Sequence, residues 1–139
     1  MELDARVIDV VHDLPGKERR AVTHAPFRPC LDSLVEELAD GEQVRALSAA
    51  VNSRLGRGVL ALTASRLVFC CSRSGASSWP LEDVRDVEGR TKQFTLPAAI
   101  TVHFDDQKLV FTLGVGRRSA PGFIAAVSAA VPALSGTAA

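Results

Sequence analysis

Apolar positions recur every three to four residues over the first forty places of this chain, and every second residue from about residue 43 onward. Leu3, Val7, Val10, Val11 and Leu14 share one face of a helix over residues 2–14, which Pro15-Gly16 is placed to stop. Lys17-Glu18-Arg19-Arg20 reads as a polar connector to Pro26-Phe27-Arg28-Pro29. A second helix is predicted from about Pro29, a residue suited to a first helical position, to Ala39. Its apolar stripe is Leu31, Leu34, Val35 and Leu38, and Asp40-Gly41 supplies a left-handed cap.

The two-residue period then predicts strands at about 43–51, 58–63, 66–72, 76–80, 84–88, 98–104 and 108–113. The stretch Gly58 to Phe69 reads as two strands folded back through a polar Thr63-Ala64-Ser65-Arg66 corner. Ile100-Thr101-Val102-His103-Phe104 alternates cleanly and turns through Asp105-Asp106-Gln107 into a strand with Leu109, Phe111 and Leu113 on one face. That is a hairpin with one wetted side. After Gly114-Val115-Gly116-Arg117-Arg118, a last helix is predicted with Ser119 as N-cap and Pro121 in its first turn. Ile124, Val127 and Val131 line one side of it, Pro132 ends it, and residues 132–139 read as a loose tail.

A chain of 139 residues favours one domain. No apolar run approaches the roughly 20 residues needed to span a bilayer. The acidic, amphipathic start Met1-Glu2-Leu3-Asp4-Ala5-Arg6 does not resemble a signal peptide, so the expected location is the cytoplasm or the inner face of the membrane. Arginine outnumbers lysine thirteen to three, which hints at a GC-rich bacterial source.

The formal net charge of zero hides an asymmetry. Residues 1–42 hold ten acidic and five basic side chains, a balance of −5, and residues 43–139 hold six and eleven, a balance of +5. Opposite halves can attract within one molecule or between subunits. The three cysteines, Cys30, Cys70 and Cys71, do not form a disulfide framework and read as reduced small hydrophobes. His12, His24 and His103 show no zinc-ligand spacing, so no metal and no cofactor is expected.

The residues Leu62-Thr63-Ala64-Ser65-Arg66-Leu67-Val68-Phe69 resemble the Leu-Thr-x-x-Arg-Leu-x-Phe corner of bacterial pleckstrin-homology-like (PH-like) and GRAM-type domains. Trp79-Pro80-Leu81-Glu82-Asp83-Val84 resembles their Pro-Leu-Glu/Ser-Asp-Ile connection, and Asp40-Gly41-Glu42-Gln43-Val44 resembles the lead into their first strand. The resemblance covers residues 40–131 and leaves 1–39 as a helical extension. It implies an α+β fold, a seven-stranded antiparallel barrel or sandwich capped by a C-terminal helix. The motif residues also have a fold-level explanation, since Thr63 and Ser65 can bond a tight turn and Pro80 suits a strand end.

No nucleophile elbow and no phosphate-cradling loop occurs, so an enzyme is not expected. Little aromatic interleaving accompanies the basic residues, so nucleic acid is not expected either. The resemblance implies an anionic headgroup site where three hairpin loops converge, which would contain Arg54, Arg57 and Arg73, with Asp105, Asp106 and Lys108 nearby. For protein partners, the candidates are Leu31, Leu34, Val35 and Leu38 on the second helix, and Trp79. The extension either docks on its own barrel or acts as an arm for another chain. The reading is a non-catalytic interaction module for a protein partner or itself, with anionic membrane binding as the alternative.

Overall fold

The computed structural model describes residues 3–71, 74–90, 96–113 and 119–131. Three helices come first: α1 (Ile8–His12), α2 (Gly16–Thr23) and α3 (Arg28–Glu37). Seven strands follow, β1 (Ala46–Asn52), β2 (Gly56–Leu62), β3 (Arg66–Cys71), β4 (Gly75–Pro80), β5 (Asp86–Arg90), β6 (Ala99–His103) and β7 (Lys108–Thr112). A short 3-10 turn, Leu81–Asp83, precedes β5, and α4 (Ala120–Ala130) follows β7.

The strands form one antiparallel sheet in the order β4-β3-β2-β1-β7-β6-β5. Its two halves join at a single residue pair, Val51 opposite Thr112, so the sheet can bend there and enclose a core. Phe69 and Phe111 meet inside with ring centroids 5.1 Å apart, and Phe123 and Val127 of α4 close the same cluster.

β2 and β3 are buried on both faces. Leu60, Leu62, Leu67 and Phe69 point into the enclosed core, whereas Val59, Ala61, Val68 and Cys70 point outward under the N-terminal helices. This double burial explains why Val59–Leu62 and Leu67–Cys71 are unbroken apolar runs, as strands covered on both sides require. The adjacent Cys70 and Cys71 face opposite ways, one into each cluster.

The extension departs from the sequence expectation in its helices. The first helix covers only Ile8–His12, and the polar connector is itself helix α2. Pro15 is the N-cap of α2, so Pro15-Gly16 ends one helix and starts the next. Val22 anchors α2 in the outer cluster, while Lys17, Arg19 and Arg20 project to solvent. α3 starts at Arg28 and stops at Glu37, two residues before Ala39. Arg6 donates to the carbonyls of Leu38 and Ala39, both at 3.1 Å, and satisfies groups the helix leaves behind.

The predicted 84–88 strand is shifted, because Val84 is a fully buried core residue after the 3-10 turn and β5 begins only at Asp86. Two glycines are needed where elements approach closely. A Cβ on Gly58 would strike the Cys70 carbonyl of the neighbouring strand, and one on Gly89 would strike Ile124 of α4.

Candidate functional site

The corner that carries the resemblance is a turn held by its own side chains. Thr63 Oγ1 accepts from the Ser65 and Arg66 N–H groups at 3.3 and 3.2 Å, and Thr63 N–H donates to the Arg66 carbonyl. Arg66 then grips Glu42 through two hydrogen bonds, at 2.9 and 2.8 Å. That pair holds the Glu42 carboxyl at about 2, mainly through the Arg66 hydrogen bond. The Thr63 and Arg66 side chains thus serve the turn and its link to Glu42.

At the other end of the sheet, the β1–β2 turn is organised by Asn52, a buried side chain. Its Oδ1 accepts from the Arg54 and Leu55 N–H groups, both at 2.9 Å, and its Nδ2 donates to the Val110 carbonyl at 3.1 Å. The Leu55 carbonyl accepts from Cys71 Sγ and Ser74 Oγ, both at 3.0 Å. Asn52 therefore laces the β1–β2 turn to β7, and Leu55 laces it to the β3–β4 connection. The Leu55 side chain is partly buried against the inner core rather than projecting.

Arg54 and Arg57 are exposed on this laced end, and neither makes an ion pair among the described residues. Arg73, the third candidate, lies outside the described residues. Sequence reasoning missed the apolar component beside them. Val51 and Val110 are each 43% exposed on the outward face. The register places Val51 opposite Arg57 on one side and Thr112 on the other, and Lys108 is exposed two residues before Val110. The signal was available in the alternation of β7, where Val110 falls opposite in phase to the core residues Leu109 and Phe111.

Of the two neighbouring aspartates, Asp105 is already paired. Arg85 donates to both of its oxygens, at 2.7 and 2.9 Å, and that hydrogen bonding lowers the Asp105 carboxyl below its ordinary value. Asp106 is exposed.

The apolar stripe of α3 takes a different place from the one a docking arm would need. Leu31, Leu34 and Leu38 are buried in the outer cluster against the chain's own sheet, and Val35 packs partly buried beside them. Trp79 is half-buried at the β4 edge of the inner core, with ring centroids 6.1 Å from Phe111 and 6.5 Å from Phe104. Among the described residues, Glu42–Arg66 is the one ion pair linking residues 1–42 to the rest. A further link is the Ser119 N–H, which donates to Glu18 Oε1 at 3.1 Å and fixes α2 to the start of α4.

His103 is not isolated either. Its Nε2 lies 2.6 Å from Glu88 Oε1 across the β5–β6 pair, and Asp86 stands directly opposite His103 in the register.

A seven-stranded antiparallel sheet bent around a core and closed by a C-terminal helix is a PH-like fold. Solved structures agree. The chain is similar to the C-terminal domain of an unknown protein from Leishmania infantum, with a TM-score of 0.58 and 16% identity over 73% of this chain and 93% of that one. It is also similar to the N-terminal PH domain of Vps36, with a TM-score of 0.56 and 16% identity over 71% and 86% of the two chains. No protein-family model matches the chain, and no curated protein matches it. Identity this low establishes the fold alone.

Proposed function

We propose that this PH-like domain is a non-catalytic bacterial interaction module that contacts a protein partner through the end of the sheet where the β1–β2 turn, Val51 and Val110 lie together. The observation that carries the reading is the pairing of two outward-facing valines with exposed cations on a rigidly laced turn. Burying the valines supplies a non-directional driving force, and Arg54, Arg57 and Lys108 supply complementarity to an acidic rim on the partner. The α3 stripe plays no part in the contact, because it is occupied within the chain. A non-catalytic role fits the chemistry at hand. Asn52 and Ser74 serve the turn, and burial pushes the Cys70 thiol up to about 12, far from a reactive thiolate.

Site-specific photo-crosslinking in the cell of origin tests this. A crosslinking residue at position 51 or 110 should yield a discrete protein adduct, absent when the same residue stands at exposed Gln43. Equal adducts at all three positions would reject the assigned surface.

A second reading has its own support in Arg54 and Arg57, whose guanidinium groups suit phosphate, and in the neutralisation of Asp105 by Arg85. In this reading the domain docks on an anionic membrane at the cytoplasmic face. No helix of the described residues is long and apolar enough to cross a membrane. Pelleting with phosphatidylserine vesicles separates the two. Salt-sensitive binding lost in Arg54→Ala/Arg57→Ala favours the membrane, and its absence favours the protein partner.

A further inference from the structure

We infer that Asp86, Glu88 and His103 form a binding site for a divalent transition-metal cation of the zinc class on the outward face of β5 and β6. Asp86 and Glu88 are two residues apart on one strand, so the pleat sends both side chains to the same face. His103 is opposite Asp86 on the next strand. One ligand atom from each of the three residues lies within 4.8 Å of the other two. Ligand–metal bonds of about 2 Å put tetrahedral ligands within about 3–4 Å of one another. Small side-chain rotations therefore suffice to close the set around an ion.

The donor chemistry selects the class of ion. An imidazole with two carboxylates suits zinc and its neighbours in the first transition row, whereas magnesium and calcium favour sites made wholly of oxygen. Two carboxylates also balance a dication's charge. The imidazole is partly buried, its side chain 31% exposed, and its Nε2 already contacts the Glu88 carboxylate. Three protein ligands leave a coordination position for water, as in open zinc sites. Among the described residues, the cation opposite His103 in the register is Lys108, exposed and on a flexible stem. This site adjoins the valine–arginine surface, since Lys108 is opposite His103 and Val110 is opposite Thr101, but its ligands are other residues and its test does not depend on the proposed function.

The test is calorimetric titration of the chelator-treated full chain with zinc, repeated with His103→Ala, Asp86→Asn and Glu88→Gln. One equivalent of zinc should bind, and each substitution should weaken it at least about tenfold. Asp86→Asn preserves shape, so folding is not in question for that arm. With cobalt as the probe, the wild-type chain should show visible d–d absorption without the thiolate charge-transfer band that cysteine ligation produces. No zinc heat, unchanged affinity in the three variants, or a thiolate band would each overturn the assignment.

Discussion

Arg66 and Glu42 form a two-point ion pair that fastens the β2–β3 corner to the segment entering β1. Arg66 Nη2 also reaches the Glu37 carbonyl at 2.8 Å, and Glu42 Oε1 accepts from the Ala39 N–H at 2.9 Å. Both side chains are largely shielded, at 22% and 13% exposure. One pair thus joins the end of α3, the approach to β1 and the corner at Thr63.

Replacing Arg66 by methionine should cost about 1–2 kcal/mol, between the values for exposed and buried pairs. The pH dependence has a definite sign. Glu42 is depressed from an ordinary value of 4.5 to about 2. Its contribution is therefore complete above about 4.5 and is lost as pH falls toward 2. Urea unfolding across that window should show a steeper acid loss in the wild-type chain than in Glu42→Gln.

The N-terminal helices should prove indispensable to the barrel. Leu34 is fully buried beneath the sheet, so Leu34→Ala should destabilise by about 2–5 kcal/mol. Removing residues 1–39 strips the apolar outer face of β1–β3, and the remainder should aggregate or unfold. A cooperative melt of residues 40–139 near the full-length temperature would contradict this.

Packing of α4 on β5 gives a test with an internal rescue. Gly89→Ala places a methyl group against Ile124, and overpacking of this kind costs about 1–3 kcal/mol. Trimming the neighbour in Gly89→Ala/Ile124→Ala should recover part of that loss, seen as a favourable coupling energy in a double-mutant cycle. Additive losses would mean that the two groups do not compete for the same space.

Much of the fold was legible because the strands announce themselves by period and by turn chemistry. The Gly58–Phe69 segment, the 100–113 hairpin and the α4 stripe all lie where the pattern places them. The helix at 16–23 was not legible, since Val22 and Glu18 are its buried residues and six of its eight residues are charged, hydroxylic or glycine. The docking of α3 was legible in principle. A strand that runs Val-Leu-Ala-Leu has two apolar faces, and something must cover the second. Sites assembled across strands were harder to see. Val51 and Val110 are 59 positions apart in the chain, and His103 meets Asp86 and Glu88 only through a register that no local spacing encodes.

Asn52 is the residue on which the proposed contact surface depends for its shape. Asn52→Ala removes two acceptor bonds and one donor bond from a buried position. The expected loss is about 1–3 kcal/mol, together with increased exchange of the Arg54 and Leu55 amides. Hydrogen exchange read by NMR checks both parts.

The central claim is that the valine–arginine end of the sheet is a contact surface for a protein. The most direct measurement is photo-crosslinking from positions 51 and 110 in cells, with Arg57→Glu as the control. The account predicts one protein adduct of defined mass from both positions, lost in Arg57→Glu while the fold is retained. Adducts that persist unchanged in Arg57→Glu, or lipid adducts in place of protein, would contradict it.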